Sequence, residues 1–170
     1  MDFTPLPVTD RANAQRLVND FGPDLRFCHA WNKWLVWDGR RWNVDNTGEV
    51  MRRAKATARS IYQEATAASN ARDRNQLENW AVRSESASRL AAMVKLAESE
   101  AYIPVVPEKL DSNPWVLNVQ NGTVDLKSGQ LLPHDPHELM TKLAPVDFDS
   151  NAGCPIWLRF LDRVMDGNQA

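Results

Sequence analysis

Apolar residues change their period along this chain, and each change marks an element. Thr9 or Asp10 can cap a short helix over Arg11 to Asp20, and Phe21-Gly22-Pro23 stops it, Gly and Pro being the usual residues beyond a helix end. The following stretch, LRFCHAWNKWLVWDGRRWNV, breaks at Asn32-Lys33 and Asp38-Gly39 into three short runs rich in aromatic and β-branched residues, which predicts a three-stranded meander. From Thr47 to about Ser69 the period lengthens: Val50, Ala54, Ala58, Ile61, Ala65 and Ala68 recur every three or four residues, the apolar stripe of a helix. A second long helix is expected over about Arg72 to Glu100, with Leu77, Trp80, Ser84, Ala87, Ala91 and Val94 on one stripe and Pro104 beyond its end. Together these two predict a helical hairpin.

Period two returns at Trp115, where Trp115, Leu117 and Val119 alternate with Val116, Asn118 and Gln120. Asn121-Gly122 then predicts a type I′ hairpin turn, which needs positive φ at both central residues, and Lys127-Ser128-Gly129 turns the chain into a third run, Gln130 to Leu132. His134 to Asp149 reads as irregular chain with a short strand near Thr141 to Leu143. Pro155 can open a last helix through Met165, since its missing N–H would be unpaired there anyway, and Asp166-Gly167 ends it. The fold class is therefore α+β: N-terminal helix, small antiparallel meander, long helical hairpin, second short β-meander and C-terminal helix. No internal repeat or low-complexity segment interrupts the series.

Composition narrows the classes of function. A chain of 170 residues with 43% hydrophobic residues and seven Trp has the length and the apolar content of one domain with a real core. Its formal net charge of -2 supplies no overall pull toward nucleic acid or membrane, so any such contact depends on a local basic patch. No apolar run approaches the roughly 20 residues of a membrane span, and MDFTPLPVTD lacks the parts of a secretion signal; a cytoplasmic protein is expected. Cys28 and Cys154 stand far apart and outside any CxxC, which favours reduced thiols.

Candidate chemistry is sparse. Asn121-Gly122-Thr123 matches a glycosylation acceptor, but without a secretion signal the turn is the better account. Asp147, Asp149 and Asn151 imitate the start of a calcium loop, yet Ala152 occupies the Gly position and Leu158 the place of the bidentate Glu. His134 and His137 could join Cys28, His29 or Cys154 on zinc, although no paired Cys motif supports it. The phosphate-cradling GxxxxGK[ST] is absent, as are GxGxxG, GxSxG and HExxH, and no pair of carboxylates stands out as acid and base. Trp31, Trp34, Trp37 and Trp42 alternate with Lys33, Arg40 and Arg41, an interleaving that suits single-stranded nucleic acid, while a buried sheet face is the favoured reading for most of these rings. Arg52, Arg53, Lys55 and Arg59 form either a solvated helix face or a phosphate-contacting one. The candidate DNA-binding residues are thus Lys33, Arg40, Arg41, Arg52, Lys55 and Arg59.

Several phrases recur in an order that resembles the N-terminal module of phage and plasmid primase-helicases, a family that includes the poxvirus D-five-type NTPases. They are TDRANAQRLVNDFGPDLRF, KWLVWDGRRWNVD, SESASRLAAMVKLAES, the hairpin with Asn113-Pro114, Leu117-Asn118-Val119, Asn121-Gly122-Thr123 and Leu126, then Pro133-His134, Thr141-Lys142 and Pro155-x-Trp157, which together span nearly the whole chain. The resemblance implies a single accessory domain, residues 1–170, ahead of a superfamily-three helicase motor. That motor would carry the Walker motifs, use ATP and Mg²⁺, and follow beyond Gly167-Asn168, so a piece of a longer protein is expected. Implied partners are single-stranded or forked DNA, further copies of the chain in a ring, and a primase domain or primase partner. A sequence-specific origin reader, with the helix around residues 52–59 in the major groove, and a protein-binding adaptor remain open alternatives. Because the chain lacks the Gly loop and its Lys, we expect no ATP hydrolysis by the purified 170-residue protein. Turnover that is abolished by a substitution within residues 1–170 would contradict this.

Overall fold

The computed structural model describes residues 6–165; the expected stop at Asp166-Gly167 lies outside them. Helix α1 (Asp10–Phe21) starts where the sequence places it, with Thr9 Oγ1 accepting the Ala12 N–H at 3.1 Å, and a single 3₁₀ turn at Gly22–Asp24 closes it. The meander follows as β1 (Leu25–Cys28), β2 (Lys33–Trp37) and β3 (Trp42–Val44), antiparallel and in chain order. Its register sets Phe27 opposite Trp34 and Leu35 opposite Val44. Strand alternation therefore sends Leu25, Phe27, Trp34 and Val36 to one face, against the helices, and Cys28, Leu35, Trp42 and Val44 to the other, against Val105, Leu110 and Leu139. Residues 103–105 also run along the free edge of β1, where the Phe27 N–H donates to Ile103 O at 2.8 Å and the Val105 N–H to Phe27 O at 2.9 Å.

Helix α2 (Glu49–Thr66) buries the predicted stripe of Val50, Ala54, Ala58, Ile61 and Ala65. It begins at Gly48, in the left-handed region with φ 75°, so Gly48 has no side chain to cap it. Asp45 does this from three residues upstream: its carboxylate accepts N–H groups from Thr47 (3.2 Å), Glu49 (2.9 Å) and Val50 (2.9 Å). Burial alone would push the Asp45 carboxyl up, but these backbone donors together outweigh it and hold it below its ordinary value.

The expected helix over 72–100 is two helices, α3 (Ala71–Ser84) and α4 (Ala87–Ala97). Ser84 is fully buried with its Oγ accepting from Asn13 Nδ2 at 2.9 Å, and Ser86 leaves the helical region at φ −65°, ψ 145°. The break resets the phase. Leu77, Trp80 and Ser84 are buried as expected, whereas Ala87 and Ala91 are exposed and Leu90, Met93 and Ala97 take the inward face. Helix α3 completes the hairpin with α2, and α4 packs on α1 instead. Buried polar contacts pin this layer: Asn13 Oδ1 accepts from Trp80 Nε1 at 3.0 Å, and Arg16 grips Glu64 with Nε–Oε1 at 2.7 Å and Nη2–Oε2 at 2.8 Å.

The second meander, β4 (Val116–Val119), β5 (Gly122–Asp125) and β6 (Leu131–Leu132), is antiparallel in chain order. Val119 lies opposite Gly122, so the turn is Gln120-Asn121, one residue earlier than expected, and neither residue has positive φ. The Asn121 side chain instead clasps Phe148, accepting its N–H at 2.9 Å and donating to its carbonyl at 3.0 Å. Gly122 is needed for a different reason from a type I′ turn: a Cβ there would collide with the Leu132 carbonyl oxygen and stand 2.7 Å from Leu131 Cδ1. The short strand expected near Thr141 to Leu143 does not form. Asp111 takes the N–H groups that a strand would use, those of Thr141 (2.7 Å) and Lys142 (3.3 Å), and two isolated bonds, Ala144 N–H to Asn118 O and Gln120 N–H to Val146 O, both 2.9 Å, hold the segment beside β4.

Helix α5 (Pro155–Val164) closes the described chain, with Ile156, Trp157, Leu158 and Phe160 exposed. Gly122→Val should drive a side chain into β6 and lower stability by about 1–3 kcal/mol, the usual cost of overpacking, visible as a fall in Tm by several degrees. An unchanged melting curve would show that β6 does not approach β5 this closely.

Candidate nucleic-acid interface

The six basic candidates fall into two groups on different layers of the molecule. The first surrounds the β2–β3 turn, which Asp38 organises. Its Oδ1 accepts the N–H groups of Arg40 and Arg41, each at 2.8 Å, its Oδ2 accepts from the Asn43 side chain, and Gly39 supplies the positive φ of 93°. Arg40 is thereby aimed at the second meander, where its guanidinium donates to Gln120 Oε1. The Arg41 guanidinium reaches the Thr141 carbonyl at 3.5 Å, and its buried Nε lies 3.9 Å from Asp38 Oδ2, too far for a hydrogen bond. Lys33, at the start of β2, is exposed and has no polar partner among the described residues.

The second group lies along the outward face of α2, where Arg52, Lys55, Arg59 and Tyr62 follow one another at spacings of three, four and three. Arg52 belongs to the helix start, donating to Glu49 Oε2 at 2.8 Å and to Thr47 O at 2.8 Å. Arg53, from the same basic run, turns inward. It binds Glu49 at 3.1 Å and Asp24 at 3.5 Å and covers the Phe21 ring, and its hydrogen bond leads those that hold the Glu49 carboxyl below its ordinary value. Lys55 and Arg59 are exposed with no acidic partner among the described residues. Exposed cations of this kind suit phosphate contacts, because their charge is not already neutralised by the protein.

The meander's Trp residues divide as the packing dictates. Trp42 is 1% exposed, with its Nε1–H on Pro136 O at 2.9 Å and the Arg26 guanidinium over its ring. Trp34 and Trp37 are half-buried, while Trp31, in the β1–β2 loop, is 45% exposed.

One polar centre was not legible as such in the sequence. Asn118, 2% exposed, donates through Nδ2 to Arg40 O at 2.9 Å and Lys142 O at 3.0 Å, and its Oδ1 lies 2.9 Å from His134 Nδ1 and 3.4 Å from Thr123 Oγ1. Since that oxygen can only accept, His134 Nδ1 donates to it. His134, weighed as a metal ligand, is thus engaged in holding the Asn118 side chain, whose amide in turn reaches Arg40 of the first meander, and His137 is exposed. No group of three His, Cys, Asp or Glu residues that could hold a metal ion occurs among the described residues. Nor is any helix among them long and apolar enough to cross a membrane.

A model of the family described as D5 N terminal like matches residues 14–166, so the chain belongs to that family, the N-terminal domains of D5-type primase-helicases. No curated protein matches it. Membership ties the chain to DNA replication.

Asn118→Ala would strand the Arg40 and Lys142 carbonyls and the His134 ring in a buried site. We expect a loss of about 1–3 kcal/mol from such unsatisfied groups, together with faster amide exchange at Ala144. Unaltered melting and exchange would show that the two meanders are joined by other contacts.

Proposed function

We propose that this domain serves a phage or plasmid replicative helicase as an accessory, collar-like element, supporting ring assembly and guiding single-stranded or forked DNA to the ATPase motor. The observation that carries the DNA half of this reading is the pair Lys55 and Arg59: two exposed cations one turn apart on α2, without acidic partners among the described residues, in a chain whose net charge is -2. Lys33 adds a third such charge. These side chains would neutralise phosphates and release counterions without reading bases, so binding should be weak in one copy, in the range of about 10⁻⁴ to 10⁻⁶ M, and stronger where many copies line one path. ATP and Mg²⁺ would act in the motor, and a primase domain or partner would supply primers.

Arg40, Arg41 and Arg52 have structural partners, so reversing them would confound folding with binding. The cleaner test is Lys55→Glu with Arg59→Glu. The double variant should keep its Tm, bind single-stranded and forked DNA several-fold more weakly at low salt, and show a shallower dependence of affinity on salt. Equal affinity and an equal salt slope for variant and parent would leave α2 a solvated face and remove the support for DNA guidance.

A further inference from the structure

We propose that the hollow beside Trp31 holds an unstacked base of single-stranded DNA, with Trp31 as the stacking surface and Lys33 taking a neighbouring phosphate. The hollow has a volume of about 320 Å³ and is lined by Trp31, Leu35, Trp42, Asn43, Asn46 and Thr141 among others. That is within the range of small-molecule sites, roughly 300 to 1,000 Å³, and at the end suited to a single ring system. This inference rests on the reading of the domain as a guide for DNA, and it names the strand type and the group that is recognised.

Three observations converge on it. First, Trp31 is the most exposed Trp of the first meander, at 45%, and among the described residues it has no aromatic or cationic partner, unlike Trp34, Trp37 and Trp42. An exposed indole flanking a hollow offers a flat face to any base, independent of sequence. Second, an uncommitted cation stands on the strand face that the hollow uses. Lys33, exposed and without a polar partner among the described residues, shares its strand face with Leu35, two residues along, and Leu35 lines the hollow. Third, the side-chain amide of Asn46 is exposed and uncommitted among the described residues, leaving a donor and an acceptor for a base edge. A paired base cannot enter, because its faces are covered by its neighbours in the duplex, so the hollow selects single strands. The larger hollow beside α5, about 530 Å³, is lined almost wholly by apolar groups around Trp157 and Phe160 and offers no side-chain amide to a base edge.

The test uses the 170-residue chain with three probes of equal length at low and moderate salt: single-stranded oligothymidylate, the same strand made abasic, and a duplex. The parent should bind oligothymidylate more tightly than the abasic strand. Trp31→Ala should weaken oligothymidylate binding by roughly 5- to 100-fold, the range for loss of one stacked base, with the salt slope unchanged and abasic binding unaffected. Trp31→Phe should recover most of the affinity, and Lys33→Glu should weaken both strands and flatten the slope. Because Trp31 lies in an exposed loop, all variants should melt as the parent does. Equal parental affinity for base-bearing and abasic strands, or parental affinity in Trp31→Ala, overturns the base hollow while leaving phosphate guidance by Lys55 and Arg59 standing. Absence of binding to every strand at low salt overturns both.

Discussion

A three-stranded sheet that is apolar on both faces cannot stand in water, and the rest of this molecule is arranged by that constraint. Leu25, Phe27, Trp34 and Val36 need one cover and Cys28, Leu35, Trp42 and Val44 another. Helices α1, α2 and α4 provide the first. The second is a set of irregular segments, residues 103–111 and 136–142, which lack a repeating pattern of their own and are held instead by anchors in the sheet. Trp42 is the chief of these: its backbone N–H donates to Met140 O at 2.8 Å and its indole N–H to Pro136 O at 2.9 Å. A buried aromatic ring thus contributes both apolar area and two directed bonds that draw the chain across the sheet.

The helical layer meets a different problem, how to fix four short helices in one register. Their stripes are rich in Ala, which packs closely but specifies position weakly. Specificity comes from Asn13, Ser84, Trp80, Arg16 and Glu64, a buried polar group whose partners lie on α1, α2 and α3. In a low-dielectric interior an unpaired member would be costly, so alternative registers of these helices are disfavoured. Asp20 bears on the same cluster: its burial first, then the nearby Glu64 charge, push its carboxyl up, with Arg16 pulling the other way.

The second meander is joined to the first through Asn118, and this junction shapes the surface offered to a partner. Arg40 and Arg41 lie in a turn whose backbone is clamped from inside by Asp38 and from outside by Asn118, so their side chains hold contacts across the junction. Lys33, Lys55 and Arg59 carry no such duty. The division between structural and available cations therefore follows from where acceptors happen to lie, and a count of positive charges in the chain conceals it.

Local chemistry determined much of the fold by itself. The Thr9 cap, the two short meanders, the α2 stripe and the Pro155 helix start depend on residues close together in sequence, and they were legible there. The break at Glu85-Ser86 was not, because the apolar period runs on through it, and the contact that fixes the end of α3, Ser84 to Asn13, joins residues 71 positions apart. Gly122 was legible as a glycine that must be one, but its reason is the approach of Leu132, which only the folded sheet supplies. The missing strand at Thr141 to Leu143 has the same origin in Asp111, a long-range acceptor. The candidate interface shows the contrast most plainly: the sequence supplied the cations and the Trp residues, and the local partners Glu49 and Thr47 of Arg52, while tertiary contacts with Gln120 and Thr141 decided that Arg40 and Arg41 were occupied. Burial of Trp42 and exposure of Trp31, indistinguishable as letters, were decided by which ring the 136–142 segment crosses.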